Sequence, residues 1–161
     1  PVTVPLFWAR LRDDVYMVWT DTIERLEEFM KWLNSICTDL VFTHSHSPDG
    51  VEFLDTFVYD KASVVHTKLY HKKSDTHCYL VPTSCHKYHV LKNIPYGVAR
   101  RVRQNNSEIE NYRQQSAEYT NYLTKRGYDK TFVEKTFENL ENVSDYYDIC
   151  YGTWSRRIFS S

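Results

Sequence analysis

Two strand-like apolar runs open the chain: Val4, Leu6, Phe7 and Trp8, then Val15, Tyr16, Met17, Val18 and Trp19. Two adjacent acids, Asp13 and Asp14, fall between them, where a tight hairpin turns. The rhythm then changes to three- and four-residue spacing, with Ile23, Leu26, Phe29, Met30, Leu33 and Ile36 on one face of a helix. Asp21 is placed to cap that helix, which runs to about Cys37. Acids crowd its first half (Asp21, Glu24, Glu27, Glu28), where the helix dipole favours them. A short strand at Leu40–Thr43, a turn at Ser47–Gly50, and a second hairpin from 51–60 and 63–71 follow, with Asp60 and Lys61 near its turn. The first 71 residues therefore predict hairpin, helix, then antiparallel meander. The layering is α+β, not a βαβ repeat.

From about Ser84 the period is helical. A short helix fits 84–94, and Pro95 suits the first turn of the next, 95–104. A longer helix fits Ser107–Lys125, packing through Tyr112, Tyr119, Tyr122 and Leu123. Gly127 is placed to end it, and Asp129 to cap a last helix to about Asn142, carrying Phe132, Val133, Phe137 and Leu140. The tail 145–161 shows no clear period, and the chain contains no internal repeat.

At 161 residues the chain is one domain or a piece of one, and its opening at Pro1, already close to strand-like sequence, suggests a fragment. No apolar run approaches the length of a membrane span, and no secretion signal is recognisable. The expectation is an intracellular protein, nuclear or cytoplasmic, not secreted. Cys37, Cys78, Cys85 and Cys150 are widely spaced and read as reduced thiols, and the Asn105 and Asn142 sequons as chance.

Charge sharpens the picture. The net is −1, yet residues 1–65 hold five Lys/Arg against eleven acids, and 66–103 hold eight against one, with five of the seven His. A basic middle in a neutral chain points to one surface for polyanions. Its candidates are Lys68, Lys72, Lys73, Lys87, Lys92, Arg100, Arg101 and Arg103, with His86 and His89 for capping, packing or phosphate contact. Tyr70, Tyr79, Tyr88 and Tyr96 are interleaved, for stacking or for core packing.

Other chemistries fare worse. Cys78, Cys85, His86 and His89 form C-x6-C-H-x2-H, which lacks the paired spacing of structural zinc sites. Four glycines leave no phosphate-cradling loop, and no nucleophile signature accompanies the cysteines. The helical pair 107–142, joined at Arg126-Gly127-Tyr128, has the form of a helix-turn-helix. Its second helix carries Asp129, Glu134, Glu138 and Glu141 against Lys130 and Lys135, a poor charge for a groove reader.

In order along the chain, these motifs resemble the reverse transcriptases of Penelope-like retroelements. FWARLRDDVYMVW is similar to that family's catalytic hairpin, with Asp13 and Asp14 as its paired acids, and Asp55 falls at the Asp of its F-L-D segment. KLYHKKSDTHCYLVPTSCHKYH resembles the family's L-Y-x-K-x-T-D-T-H-x-Y-L run, matching at Lys72, Asp75, Thr76, His77, Tyr79, Leu80, Ser84, His86 and His89. IPYGVARRVRQNNS and LTKRGYDKTFV resemble the segments that follow, with Arg101 and Arg103 in place.

The resemblance implies a palm-like part at 1–71, a helical thumb with a helix-turn-helix-like region at 72–144, and a tail at 145–161. It makes Asp13 and Asp14 the catalytic and Mg²⁺-binding acids. Contacts to an RNA template and DNA primer fall to Lys72, Lys73, His86, Lys92, Arg100, Arg101 and Arg103. The family's Tyr before the acids is Leu11 here, and Arg12 brings a positive charge beside them. Gln104, Lys73, Lys87 and Asp129 also depart from the pattern. With fingers and a third acid expected from an upstream portion, the chain is expected to be inactive alone. A nucleic-acid-binding helical module without catalysis is the alternative.

Overall fold

The computed structural model describes residues 3–36 and 39–141. The expected tail, the Asn142 helix end, Cys37 and Cys150 lie outside them. Among the described residues the fold is α+β, with two small antiparallel sheets, of two and three strands, and four helices, three of which follow the last strand. Packing divides the chain into two compact units, Pro1–Leu54 and Asp55–Ser161.

The first unit begins with the expected hairpin, β1 (Phe7–Leu11) and β2 (Asp14–Val18), in a register that pairs Leu11 with Asp14. Its turn is therefore Arg12-Asp13, with Arg12 in the left-handed region at φ 55°. The Arg10 Nε donates to the Arg12 carbonyl (2.6 Å) and steadies that turn. Leu6 is exposed, whereas the Trp8 ring, though 40% exposed, meets that of Phe29 edge-on at 6.4 Å between centroids, so the hairpin face that Trp8 shares with Met17 packs on the helix that follows. Helix α1 (Ile23–Ile36) buries Leu26, Phe29 and Met30, joined by Met17, Trp19, Leu33 and Phe42. Rings pack round Phe29, with Trp19 at 5.4 Å and Trp32 at 5.7 Å between centroids.

Two local expectations in this unit are corrected. The cap of α1 is Thr22, whose Oγ1 accepts from the Arg25 N–H, while Asp21 accepts from the Thr22 N–H one residue earlier. The expected strand at Leu40–Thr43 is absent. Asn34 takes the place of a strand partner, its Oδ1 accepting from the Phe42 N–H (2.7 Å) and its Nδ2 donating to the Phe42 carbonyl (3.0 Å). Once a side chain satisfies both backbone groups, no ladder is needed. The unit closes with β3 (Val51–Phe53), where the Phe53 ring lies 5.6 Å from that of Tyr16.

The second unit begins with the hairpin of β4 (Thr56–Lys61) and β5 (Val64–Leu69), which turns at Ala62-Ser63, both at positive φ. Three helices follow: α2 (Tyr88–Asn105), α3 (Ile109–Lys125) and α4 (Lys130–Glu141). Leu69 joins Ala99, Val102, Tyr112, Tyr119, Leu123, Tyr128, Val133, Phe137 and Leu140 in one core. Ser107 completes Thr67 of β5, its N–H and Oγ donating to the Thr67 carbonyl and its Oγ accepting from the Thr67 N–H. A strand edge is thus covered by a loop rather than left open.

The two short helices expected at 84–94 and 95–104 are one helix. Pro95 lies inside α2 and is buried, in line with Leu91, Ala99 and Val102. Proline removes one helical hydrogen bond, and burial of its ring in that apolar row offsets the loss. The end of α3 follows the expected signals closely. Gly127 takes φ 96°, its N–H donates to the Thr124 carbonyl, and the Tyr128 N–H donates to the Leu123 carbonyl, which completes a Schellman motif. Asp129 then caps α4 by accepting from the Phe132 N–H at 2.7 Å.

A polar knot ties the β4–β5 hairpin to the start of α3. Tyr59 Oη (2.5 Å) and Lys61 Nζ (2.6 Å) both donate to the Glu108 carboxylate. These bonds, that from Lys61 first, hold the Glu108 carboxyl below its ordinary value. A carboxyl whose value is lowered on folding stabilises above its unfolded value and stops doing so as pH falls through the folded one. Glu108→Gln is therefore expected to lower the melting temperature at neutral pH. The gap to wild type should close as pH drops through and below the ordinary carboxylate range, which thermal melts at stepped pH would show.

Candidate nucleic-acid interface

The segment 70–87 between β5 and α2 lacks regular structure yet is well anchored. The Arg126 Nε donates to the Tyr79 carbonyl (2.7 Å), and Tyr128 Oη donates to that of Leu80 (2.9 Å). His77, buried at φ 49°, stacks on Tyr122 with ring centroids 4.1 Å apart and meets His71 and Tyr119 edge-on. Its N–H donates to Asp75 (2.9 Å). Burial pushes the Tyr79 hydroxyl up to about 12, helped by the Asp75 charge, and raises that of Tyr119 as well. These phenols stay protonated at neutral pH, so the cluster fastens the loop to α3. In the sequence His77 stood out only as one residue of a motif.

That anchoring presents Lys72, Lys73 and His86 at the surface, with Ser84 Oγ 2.9 Å from His86 Nδ1. Helix α2 carries Lys92, Arg100, Arg101 and Arg103 and no acid. Lys92 and Arg100 are exposed, whereas Arg101 and Arg103 are half-buried. Arg101 pairs with Asp55 at 3.0 Å. The Arg103 guanidinium lies over the Tyr112 ring, 5.6 Å from its centroid. The four interleaved tyrosines divide evenly. Tyr70 and Tyr79 are partly buried, and Tyr79 packs on the core, while Tyr88 and Tyr96 are 77% and 45% exposed.

Elsewhere in this unit, α3 and α4 line a cleft of about 640 Å³. Its charged walls are Arg113 and Lys130 against Glu134, Glu138 and Glu141. The cations are engaged, Arg113 with Glu141 (2.7 Å) and Lys130 with Glu134 (3.6 Å). Such a wall offers phosphate little, so the basic surface lies on the 70–87 segment and α2 rather than on α4.

The remaining sequence candidates fall elsewhere. Asp13 and Asp14 belong to the first unit, both exposed, Asp13 in the turn and Asp14 opening β2. Cys78 and Cys85 are exposed free thiols. Among the described residues, no three His, Cys, Asp or Glu gather to hold a metal ion, and no helix is long and apolar enough to cross a membrane.

Residues 78–138 match the family model of the animal helix-turn-helix domain, a stretch that holds the end of the anchored segment, α2, α3 and most of α4. No curated protein and no solved structure matches the chain.

Proposed function

We propose that the second unit is a helix-turn-helix-like module that binds nucleic acid through the phosphate backbone. The observation that carries this is the animal helix-turn-helix match over 78–138, coinciding with a helix that holds four cations and no acid. Exposed Lys72, Lys73, Lys92 and Arg100 are the phosphate contacts in this account, while Arg101 and Arg103 serve the fold through Asp55 and Tyr112. Lys72→Ala, Lys73→Ala, Lys92→Ala and Arg100→Ala together should weaken oligonucleotide binding by the full chain about 100-fold or more near 0.1 M salt, as loss of several phosphate contacts requires. Fluorescence anisotropy would measure this. Undiminished binding would sink the proposal.

A second reading rests on the ordered motifs that resemble Penelope-like reverse transcriptases and on the Asp13-Asp14 turn. It makes 1–71 a palm part and 72–144 a thumb, with template and primer as partners. Asp13 and Asp14 present exposed carboxylates of the kind Mg²⁺ takes, the ion otherwise keeping water and substrate phosphate as ligands. Bound there, Mg²⁺ would supply charge neutralisation for nucleotidyl transfer. Leu11 and Arg12 flank the acids, and the chain alone is expected not to extend a primer on an RNA template. Extension that disappears on Asp13→Ala would show otherwise.

A further inference from the structure

We propose that the outer face of α2 binds single-stranded nucleic acid, by stacking bases on Tyr88 and Tyr96 and pairing phosphates with Lys92 and Arg100. This rests on the nucleic-acid reading above and names its ligand class. The four residues recur at every fourth position and so form one row across the helix surface, tyrosine and cation alternating. With about 1.5 Å of rise per residue, successive members stand about 6 Å apart along the axis and the two tyrosines about 12 Å apart. All four are exposed, Tyr88 more than Tyr96. A large exposed ring on an acid-free helix has an obvious complement in an unstacked base on a phosphate chain.

Gly97 supplies an independent observation. It lies in the middle of α2, is exposed, and a Cβ built there would meet nothing within 4 Å. Glycine weakens a helix interior, and neither packing nor a positive φ calls for it at this position. What its missing side chain does provide is bare helix backbone one residue along from Tyr96, open to close approach by a ligand.

Two features favour a single strand over a duplex. Bases within a duplex are stacked on one another, so side-by-side tyrosines gain little from them, whereas a single strand offers free faces. In addition α4, the second helix of the α3–α4 pair and the one a groove reader would insert, bears Glu134, Glu138 and Glu141 towards the cleft.

The test compares binding of the full chain to a labelled 20-nucleotide oligothymidylate and to a blunt 20-base-pair duplex, by anisotropy at several salt concentrations. The single strand should bind at least tenfold more tightly. Tyr96→Ala and Tyr88→Ala should each weaken it about tenfold, Tyr96→Phe should keep nearly full affinity, and Gly97→Leu should weaken it while Gly97→Ala does so less. Circular dichroism melts check that each exposed-site variant remains folded. Preference for the duplex, or indifference to both Tyr→Ala changes while the cation variants still lose affinity, would overturn the single-strand inference and leave the broader reading standing. Failure to bind either ligand would overturn both.

Discussion

Phe137→Ala is expected to destabilise the second unit by about 3–5 kcal/mol, the range for removing a buried aromatic side chain from a packed core. Phe137 is almost fully buried between α3 and α4, its ring 6.4 Å from that of Tyr112. Tyr112 Oη donates to the Phe137 carbonyl (2.7 Å), which fixes α4 against α3 at the same point. Removing the ring therefore leaves a cavity beside a backbone contact that resists collapse. Alanine is a better helix former than phenylalanine, so propensity offsets only a few tenths of a kcal/mol. Urea unfolding followed at 222 nm measures the change, and Phe137→Leu, which retains most of the volume, should cost clearly less. A Phe137→Ala cost below about 1 kcal/mol would show that this core is not packed as described.

The second large effect lies where α2 ends. Asn106 is wholly buried, and its Nδ2 donates to the Val102 carbonyl (2.8 Å) and to Gln115 Oε1 (2.7 Å). Gln115 Nε2 donates in turn to the Leu69 carbonyl (2.8 Å), so a chain of amides links α2, α3 and β5. Asn106→Ala removes the donor that the partly buried Gln115 Oε1 accepts from, at a cost of about 1–3 kcal/mol. Because the two amides act as one unit, Asn106→Ala with Gln115→Ala should cost less than the two single changes summed. Strict additivity in the same urea experiment would argue against the amide chain.

Signals within a few residues of each other were legible in the sequence. The Asp13-Asp14 hairpin, the apolar face of α1, the glycine stop at Gly127 and the Asp129 cap all depend on neighbours in the chain, and all are found. Features decided by distant partners were not. Whether Pro95 interrupts a helix depended on a core row that its own neighbours do not specify. Asn34 replaced a strand partner for Phe42 across eight residues. For Arg101 and Arg103 charge is visible in the sequence and their neighbours in the fold are not. Asp55, far back in the chain, and the Tyr112 face lie beside them only in the fold. The helix-turn-helix form was legible too. The acids of the last helix are visible in the sequence as well, while the pairing of Glu141 with Arg113 and of Glu134 with Lys130 is seen only in the fold.

In the proposed function the phosphate contacts are Lys72, Lys73, Lys92 and Arg100, all exposed. Nucleic-acid binding by this exposed basic surface is tested most directly by the salt dependence of affinity. For a single-stranded oligonucleotide, log K should fall against log salt with a slope of about −3 if four cations each release counterions. Replacing those four residues with alanine should bring the slope close to zero, while Arg101→Ala should leave it nearly unchanged. A wild-type slope near zero, or a steep slope untouched by the fourfold replacement, would contradict the account.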